Sequence, residues 1–167
     1  MQPDQAKLLS EALLANIEAE SATTKKVLAA VPDGNPGYKP HEKCTAVMDL
    51  CWHIVSSEVW FLNSIADGQF VMGESKRPDN IQTSKDAVKW YEENLPPAVA
   101  RICALGGDAL AKVIGFAGIV EMPAVNWILL ETNHVIHHHG QLSVYIRPMG
   151  GKVPGIYGPS GDEPMKM

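Results

Sequence analysis

Four long stretches of the 167-residue chain repeat apolar residues at intervals of three and four, the spacing of one face of an α-helix. We predict helices from Asp4 to about Val31, from about Lys43 to Ala66, from about Ser84 to Leu105, and from Pro123 to about Arg147. Turn-forming residues separate these stretches, and few segments show strand periodicity. The pattern therefore predicts one all-α domain over residues 1–167, arranged as a four-helix bundle.

Three places leave the local structure open. Pro96-Pro97 falls inside the third helical pattern and should break or kink it, so two shorter helices would explain the same residues. Residues 113–120 are apolar and interrupted by glycine, which suits a short strand, a hairpin or a packed loop. The tail after residue 149 is rich in Gly and Pro, with too few apolar residues for another core element. Three of its side chains could still pin its first half to the bundle: Val153, Ile156 and Tyr157.

Composition narrows the class of protein. The chain is 46% apolar and 20% charged, as soluble globular proteins are, and its formal charge of −5 argues against a nucleic-acid partner. No apolar run approaches the ~20 residues that span a bilayer, and the N-terminus lacks the pattern of a secretory signal. We therefore expect a cytoplasmic protein with no membrane partner. An odd number of cysteines without a C-x-x-C pair indicates reduced thiols.

The strongest chemical signal is the stretch from Asn133 to Gln141, which holds four of the six histidines. His134 and His138 lie one helical turn apart, so their imidazoles can bind one metal ion, while the other two histidines point to either side. A third ligand must come from elsewhere. His53 lies on the edge of the apolar face of the second helix, and it is our candidate, although a lone histidine there is more often a core residue.

Three histidines leave the remaining position of a tetrahedral ion to water or substrate, as in catalytic zinc sites; nickel, cobalt or iron would also suit nitrogen ligands. Glu131 is the next candidate, as a fourth ligand or as a partner of a ligand. Gln141 and Tyr145 could orient a substrate, or could simply make interhelical hydrogen bonds. Glu58 is off the ligand line. It could hydrogen-bond an imidazole of a ligand, but a surface position or a tertiary contact explains it at least as well. The alternative for the whole cluster is a solvated run of histidines.

Several segments together resemble the DinB/YfiT-like family. The segment from Asp49 to Ile54 is similar to its "xLxWHI" motif, and the segment from Asn133 to Arg147 is similar to "NHxxHHRGQLSVYLR". Gly150–Pro154 and Ile156–Glu163 resemble the motif that follows. The chain departs from the family at two positions, with a histidine at 139 in place of arginine and a proline at 148 where the helix usually continues.

The resemblance implies a four-helix bundle, a zinc or nickel ion on His53, His134 and His138, and frequent homodimers. Characterised relatives include transferases and isomerases that depend on low-molecular-weight thiols such as bacillithiol or mycothiol, and many members carry only a metal-dependent hydrolase label. We therefore expect a metal-dependent hydrolase or thiol S-transferase that acts on a small electrophilic substrate. The alternative is a non-catalytic metal-binding bundle, such as a stress-response protein.

Overall fold

The computed structural model describes residues 1–73 and 75–165, and it is mostly helical, as the periodicity predicts. Five helices and two strands follow one another along these residues: α1 (Pro3–Ala29), α2 (Val47–Asp67), α3 (Ser84–Cys103), α4 (Gly107–Ala111), β1 (Val113–Phe116), β2 (Val120–Pro123) and α5 (Ala124–Ile146). Four of the helices are long, and each of these packs against two others: α1 and α2 both contact α3 and α5. Within the described ranges, no helix combines the length and the apolar character that crossing a membrane requires.

Local sequence signals explain where α2 and α3 begin and end. α2 begins at Val47, four residues later than we predict, and ends at Gly68, whose φ of 69° is the left-handed conformation that glycine adopts without strain. α3 begins after Thr83, whose hydroxyl accepts a hydrogen bond from the Asp86 amide at 3.2 Å. The Asp86 carboxylate accepts one from the Thr83 amide at 2.8 Å in return. This reciprocal cap satisfies two amides that the first turn of a helix leaves without partners.

Of the break or kink predicted at Pro96-Pro97, the break is wrong, because α3 runs through both residues. The two prolines remove the backbone donors that would reach the carbonyls of residues 92 and 93. Pro96, Pro97 and those two residues are all exposed, so water can satisfy the freed carbonyls. The buried face of the same helix, which includes Tyr91 and Leu95, is uninterrupted.

A hairpin, one of the three alternatives for residues 113–120, joins α4 to α5. β1 and β2 pair antiparallel, with Ile114 opposite Met122, and the tip holds Ala117 and Gly118 at positive φ. The Trp127 indole donates to the Ile114 carbonyl at 3.1 Å, which fixes the hairpin to the first turn of α5. Pro123 is the last residue of β2 rather than the first of the helix.

The tail that follows α5 forms no helix or strand in its described part, residues 147–165. Val153 is buried, and the exposed ring of Tyr157 still donates its hydroxyl to the Glu20 carboxylate of α1 at 2.8 Å. Two ion pairs hold the far end, Arg147 with Asp162 and Lys26 with Glu163, both at 2.8 Å. The tail is thus fixed to α1 and to the end of α5 mainly by polar contacts.

Candidate metal centre

Two packed helices bring three histidines to a common point. His53 projects from α2, and His134 and His138 project from successive turns of α5. The Nε2 atom of His53 lies 3.2 Å from the Nε2 atoms of both other residues, and those two are 3.0 Å apart. Each ring stands nearly perpendicular to the other two, so the three nitrogens converge while the rings diverge. These three residues form a group that can hold a metal ion.

The donor set fits a divalent transition metal. Zinc–nitrogen bonds of about 2.0–2.1 Å place the nitrogens of a tetrahedral site about 3.3 Å apart, and those of an octahedral face about 2.9 Å apart. The observed separations of 3.0–3.2 Å lie at or between these values. Hydrogen bonds among the rings cannot account for all three contacts, because an Nε2 that carries a proton can donate it to only one neighbour and cannot accept another.

All three histidines are kept neutral by burial. Burial lowers the pKa of His138 to about 4, although its hydrogen bond to Gln141 acts in the opposite direction. Burial also lowers the pKa of His53 and His134. The pKa of His53 is lowered further because a proton on His53 would be repelled by one on the nearby His134. Neutral imidazole is the form that binds a metal, so at neutral pH the three nitrogens need not lose a proton first.

Gln141 is placed to select the tautomer of His138. Its Oε1 atom lies 2.6 Å from Nδ1 of His138, and because an amide oxygen can only accept, Nδ1 must donate. The lone pair of His138 is therefore on Nε2, directed at His53 and His134. Hydrogen bonds of this kind orient metal-binding histidines and raise their basicity. Gln141 thus contacts a histidine of its own helix, a role our sequence analysis does not include.

Glu131 lies behind His134 rather than beside the common point. Its carboxyl group is completely buried, and Oε1 is 3.8 Å from Nδ1 of His134, on the side of the ring away from Nε2. In the part of the chain that the structure describes, neither carboxyl oxygen has a hydrogen-bond partner, and burial raises the pKa of this group to about 8. Of the two roles predicted for Glu131, this position suits the partner of a ligand.

Two other candidates from the sequence have contacts elsewhere. Tyr145 donates its hydroxyl to the carbonyl of Thr45 at 3.1 Å, and it lines neither of the two cavities described below. This contact supports the hydrogen-bonding alternative over contact with a substrate. Glu58 is buried and accepts the Tyr91 hydroxyl at 2.5 Å, which is the tertiary contact that we considered for it.

The other two histidines of the run lie outside the cluster, as their helical positions predict. His137 is exposed. His139 is only 1% exposed, and its Nε2 lies 2.8 Å from the Thr24 hydroxyl of α1. This hydrogen bond with the Thr24 hydroxyl occupies Nε2 of His139, which therefore takes no part in the cluster. The position that is arginine in the family motif therefore holds a core histidine here.

Two cavities border the three histidines, and His53 lines both. The charged cavity has a volume of about 630 Å³, and its wall includes His138, Gln141, Asp49, Lys76, Arg77 and Asp79. The aromatic cavity has a volume of about 440 Å³, and its wall includes His134, Trp52, Trp60, Phe61, Met72 and Phe116. Both volumes are in the range of small-molecule sites.

The sequence analysis missed most of these walls. Lys76-Arg77 reads as a solvated loop, yet the Arg77 guanidinium donates to Asp49 at 3.0 Å and to the Ile81 carbonyl, which fixes it in the wall of the charged cavity. Phe116 comes from the hairpin, about 20 residues before the histidine run. One signal was present: Trp52 adjoins His53, and Trp60-Phe61 follows two turns later on the same helix.

Comparisons with known proteins place these observations in a family. A family model described as the DinB family matches residues 3–165. Two relatives from Bacillus subtilis (strain 168), the uncharacterized proteins YrdA and YjoA, are each 25% identical to the chain. The match to YrdA covers 87% of this chain and 86% of that protein, and the match to YjoA covers 84% and 91%.

Solved structures share the fold. A DinB-like protein from Bacillus cereus ATCC 10987 has a TM-score of 0.73 at 24% identity, covering 88% of this chain and 97% of that one. The DinB-like protein YjoA from Bacillus subtilis has a TM-score of 0.65 at 24% identity, covering 83% and 92%. A mutant of the mycothiol-dependent maleylpyruvate isomerase is more distant, with a TM-score of 0.51 at 10% identity, covering 85% and 61%. Because the family model accounts for nearly the whole chain and DinB-like proteins have the same fold, the chain belongs to the DinB family.

Proposed function

We propose that the protein is a metal-dependent enzyme in which His53, His134 and His138 hold a zinc or nickel ion. The substrate is a small electrophile, and the nucleophile is water or the thiolate of a low-molecular-weight thiol. The observation that carries this proposal is the convergence of three Nε2 atoms, 3.0–3.2 Å apart, at the border of two cavities.

Each group of residues at the site has its own role in this proposal. The three neutral imidazoles hold the ion, which supplies Lewis acidity and a lowered pKa for a bound water or thiol. Gln141 keeps the His138 lone pair directed at the common point, and the Glu131 carboxyl group stands behind His134. The cavity walls orient the reacting molecules.

A non-catalytic metal-binding bundle is the competing function. A fourth protein ligand that closed the ion would favour it, and Glu131 was the candidate. Its carboxyl group faces Nδ1 of His134, away from the common point, and the two cavities open beside that point. Both observations support a site with room for a substrate.

The choice between hydrolysis and thiol transfer belongs to the same proposal. The name of the distant isomerase says that that protein depends on mycothiol. We extend a thiol requirement to this chain as one of two reactions, the other being hydrolysis by a metal-activated water. The charged cavity is polar enough to admit either nucleophile.

Metal analysis of the purified protein tests the site directly. We expect one zinc or nickel ion per chain, lost in His53→Ala and in His134→Ala. His137→Ala is the matched control, because His137 is on the same helix and is exposed, and this variant should keep the ion. Full retention of the ion by His53→Ala and His134→Ala would overturn the proposal.

Turnover of a generic electrophile then separates the functions. The metal-loaded protein is incubated with 1-chloro-2,4-dinitrobenzene and cysteine, and separately with p-nitrophenyl acetate and no thiol. Loss of the chlorinated compound faster than in a protein-free mixture, and only when thiol is present, indicates transfer. Release of nitrophenol without thiol, faster than in a protein-free mixture, indicates hydrolysis. An ion that is bound without turnover in either assay would favour the non-catalytic function.

The cellular setting is part of the proposal. We propose a single domain that forms the four-helix bundle of the family, works in the cytoplasm and pairs as a homodimer. Exposed apolar side chains on α5, Leu129 and Val144, support the pairing of two copies. A mass of one chain in analytical ultracentrifugation would contradict the dimer.

A further inference from the structure

Five of the eleven aromatic side chains lie together beside the histidine site. All three phenylalanines and two of the four tryptophans form one cluster of rings: Trp60, Phe61, Phe70, Phe116 and Trp127. Ring centroids within it are 4.7–6.4 Å apart, and most pairs are tilted or edge-to-face. Three members also line the aromatic cavity. The cluster therefore provides a rigid wall of ring faces and edges.

This wall extends to the candidate metal ligands. The centroid of the Phe61 ring is 6.0 Å from that of His134, and His53 and His134 both line the cavity. The hairpin contributes Phe116, and the Trp60 indole donates to the Val71 carbonyl at 3.2 Å, which fixes the loop that carries Met72. A molecule held against the aromatic rings would thus have one end near the common point of the histidines.

The two cavities have opposite chemistry. Acidic and basic side chains line the charged cavity, and its only aromatic wall outside the histidines, among the described residues, is Trp52. In the aromatic cavity, Lys76 is the one Asp, Glu, Lys or Arg side chain among the described lining residues, and it is exposed. Transfer of a charged group into a wall of this kind is unfavourable, whereas an uncharged ring gains both burial and aromatic contact.

We propose that the aromatic cavity binds an uncharged, ring-bearing part of the electrophilic substrate, and that the nucleophile reaches the histidines from the charged cavity. This inference rests on the proposed function for its second half, because the nucleophile needs the metal. The first half concerns binding alone, and it applies with or without an ion. Substrate selection then resides in Trp60, Phe61 and Phe116, and not in the histidines.

Binding of 2-naphthamide, an uncharged fused ring, tests the assignment by isothermal titration calorimetry on zinc-loaded and metal-free protein. We expect Trp60→Ala to weaken binding about tenfold or more, since base stacking on one aromatic side chain is worth about 1–3 kcal/mol. Met72→Asp places a carboxylate at the exposed edge of the cavity without removing core packing, and should weaken binding several-fold. Gln82→Ala is the matched control, because Gln82 lines only the charged cavity.

The outcomes separate this inference from the proposed function. Circular dichroism and zinc content are measured for each variant, so that a misfolded Trp60→Ala variant is recognised. In that case the binding measured for Met72→Asp tests the inference. If zinc is bound but both variants bind 2-naphthamide as tightly as wild type, the aromatic cavity is not the site and the inference fails. Absence of binding to wild type, or equal loss in Gln82→Ala, has the same meaning. If the variants behave as expected but no ion binds, the proposed function fails while the ring site stands.

Discussion

His138 and His139 are neighbours in the chain, and they show how two similar histidines come to differ in function. Burial lowers the pKa of each to about 4. Their Nε2 atoms, however, meet different neighbours. His138 donates from Nδ1 to Gln141 and keeps a lone pair on Nε2 that faces His53 and His134. Nε2 of His139 is instead occupied by the Thr24 hydroxyl. Burial and pKa do not separate a candidate ligand from a core residue, but the neighbour that Nε2 meets does.

The comparison extends to the surroundings of each residue. His139 belongs to a group of buried polar side chains between the helices, which we call the polar core: Glu20, Thr24, Glu58, Tyr91 and His139. Its members pair with one another or with the tail, as in the 2.5 Å hydrogen bond from Tyr91 to Glu58. His138 is bordered by a cavity of about 630 Å³. The polar core has the chemistry of a site, but its side chains are hydrogen-bonded mainly to one another and to the tail, which indicates a structural role.

The largest predicted effect distinguishes the role of His138 from that of His139. His138→Ala should weaken zinc binding by more than about 100-fold, because even residues that only orient a ligand are worth 10–100-fold. It should change the unfolding free energy of the metal-free protein little, since His138 lies at a cavity. His139→Ala should destabilise the protein by about 2–4 kcal/mol through lost packing and a lost buried hydrogen bond, and should keep zinc. Competition with a zinc-chelating dye and urea unfolding measure the two quantities. The reverse assignment of effects would show that we have exchanged the roles of the two residues.

Much of this site could be predicted from the sequence, because helical spacing is a local property. The i, i+4 spacing places His134 and His138 together without any tertiary information. The prediction of His53 as the third ligand required only the assumption that α2 faces α5. The cavity walls could not be predicted in this way. Phe116 and Arg77 reach the site from a hairpin and a loop, whose positions depend on long-range contacts such as those to Trp127 and Asp49.

The predictions for the prolines of α3 and for Tyr145 were incomplete for a similar reason, because they also depend on contacts that are distant in sequence. A break or kink is predicted at the prolines of α3 because their effect on backbone hydrogen bonding is local. Whether the helix breaks depends, however, on whether the freed carbonyls face water. Helical spacing puts Tyr145 on the same face of its helix as His138, and it is indeed buried, but that face continues beyond the histidine site to the loop that holds Thr45. Helical periodicity tells which face a residue occupies, and not which neighbour it meets there.

A smaller effect should appear in the pH dependence of the polar core. Burial, and then the nearby Glu131, raise the pKa of Glu58 well above its ordinary value. The folded state therefore holds a proton that the unfolded state releases above about pH 4.5, so the stability associated with a neutral Glu58 is present below that pH and is lost as pH rises. Glu58→Gln keeps an acceptor for Tyr91 and cannot ionise.

We expect the unfolding free energy of metal-free Glu58→Gln, relative to wild type, to improve steadily as pH rises from 4.5 to 8, because only wild type loses stability as this carboxyl group is driven to ionise. Urea unfolding at several pH values measures this difference. Asp33→Asn is a control at an exposed carboxylate, and its difference from wild type should stay flat. A flat profile for Glu58→Gln as well would mean that this carboxyl group is not buried as a neutral acid.

The smallest effect tests whether the tautomer of His138 is set by Gln141. Gln141→Ala should weaken zinc binding about tenfold, within the range for a residue that orients a ligand. Gln82→Ala is the matched control, because Gln82 also lines the charged cavity but makes no contact with a histidine. Nitrogen NMR of the metal-free protein supplies a readout that general destabilisation would not produce, since it reports which ring nitrogen carries the proton. In wild type the proton should be on Nδ1 of His138, and in Gln141→Ala the two tautomers should both be populated. If His138 keeps its proton on Nδ1 without Gln141, the difference between His138 and His139 must arise from the other histidines of the cluster rather than from this hydrogen bond.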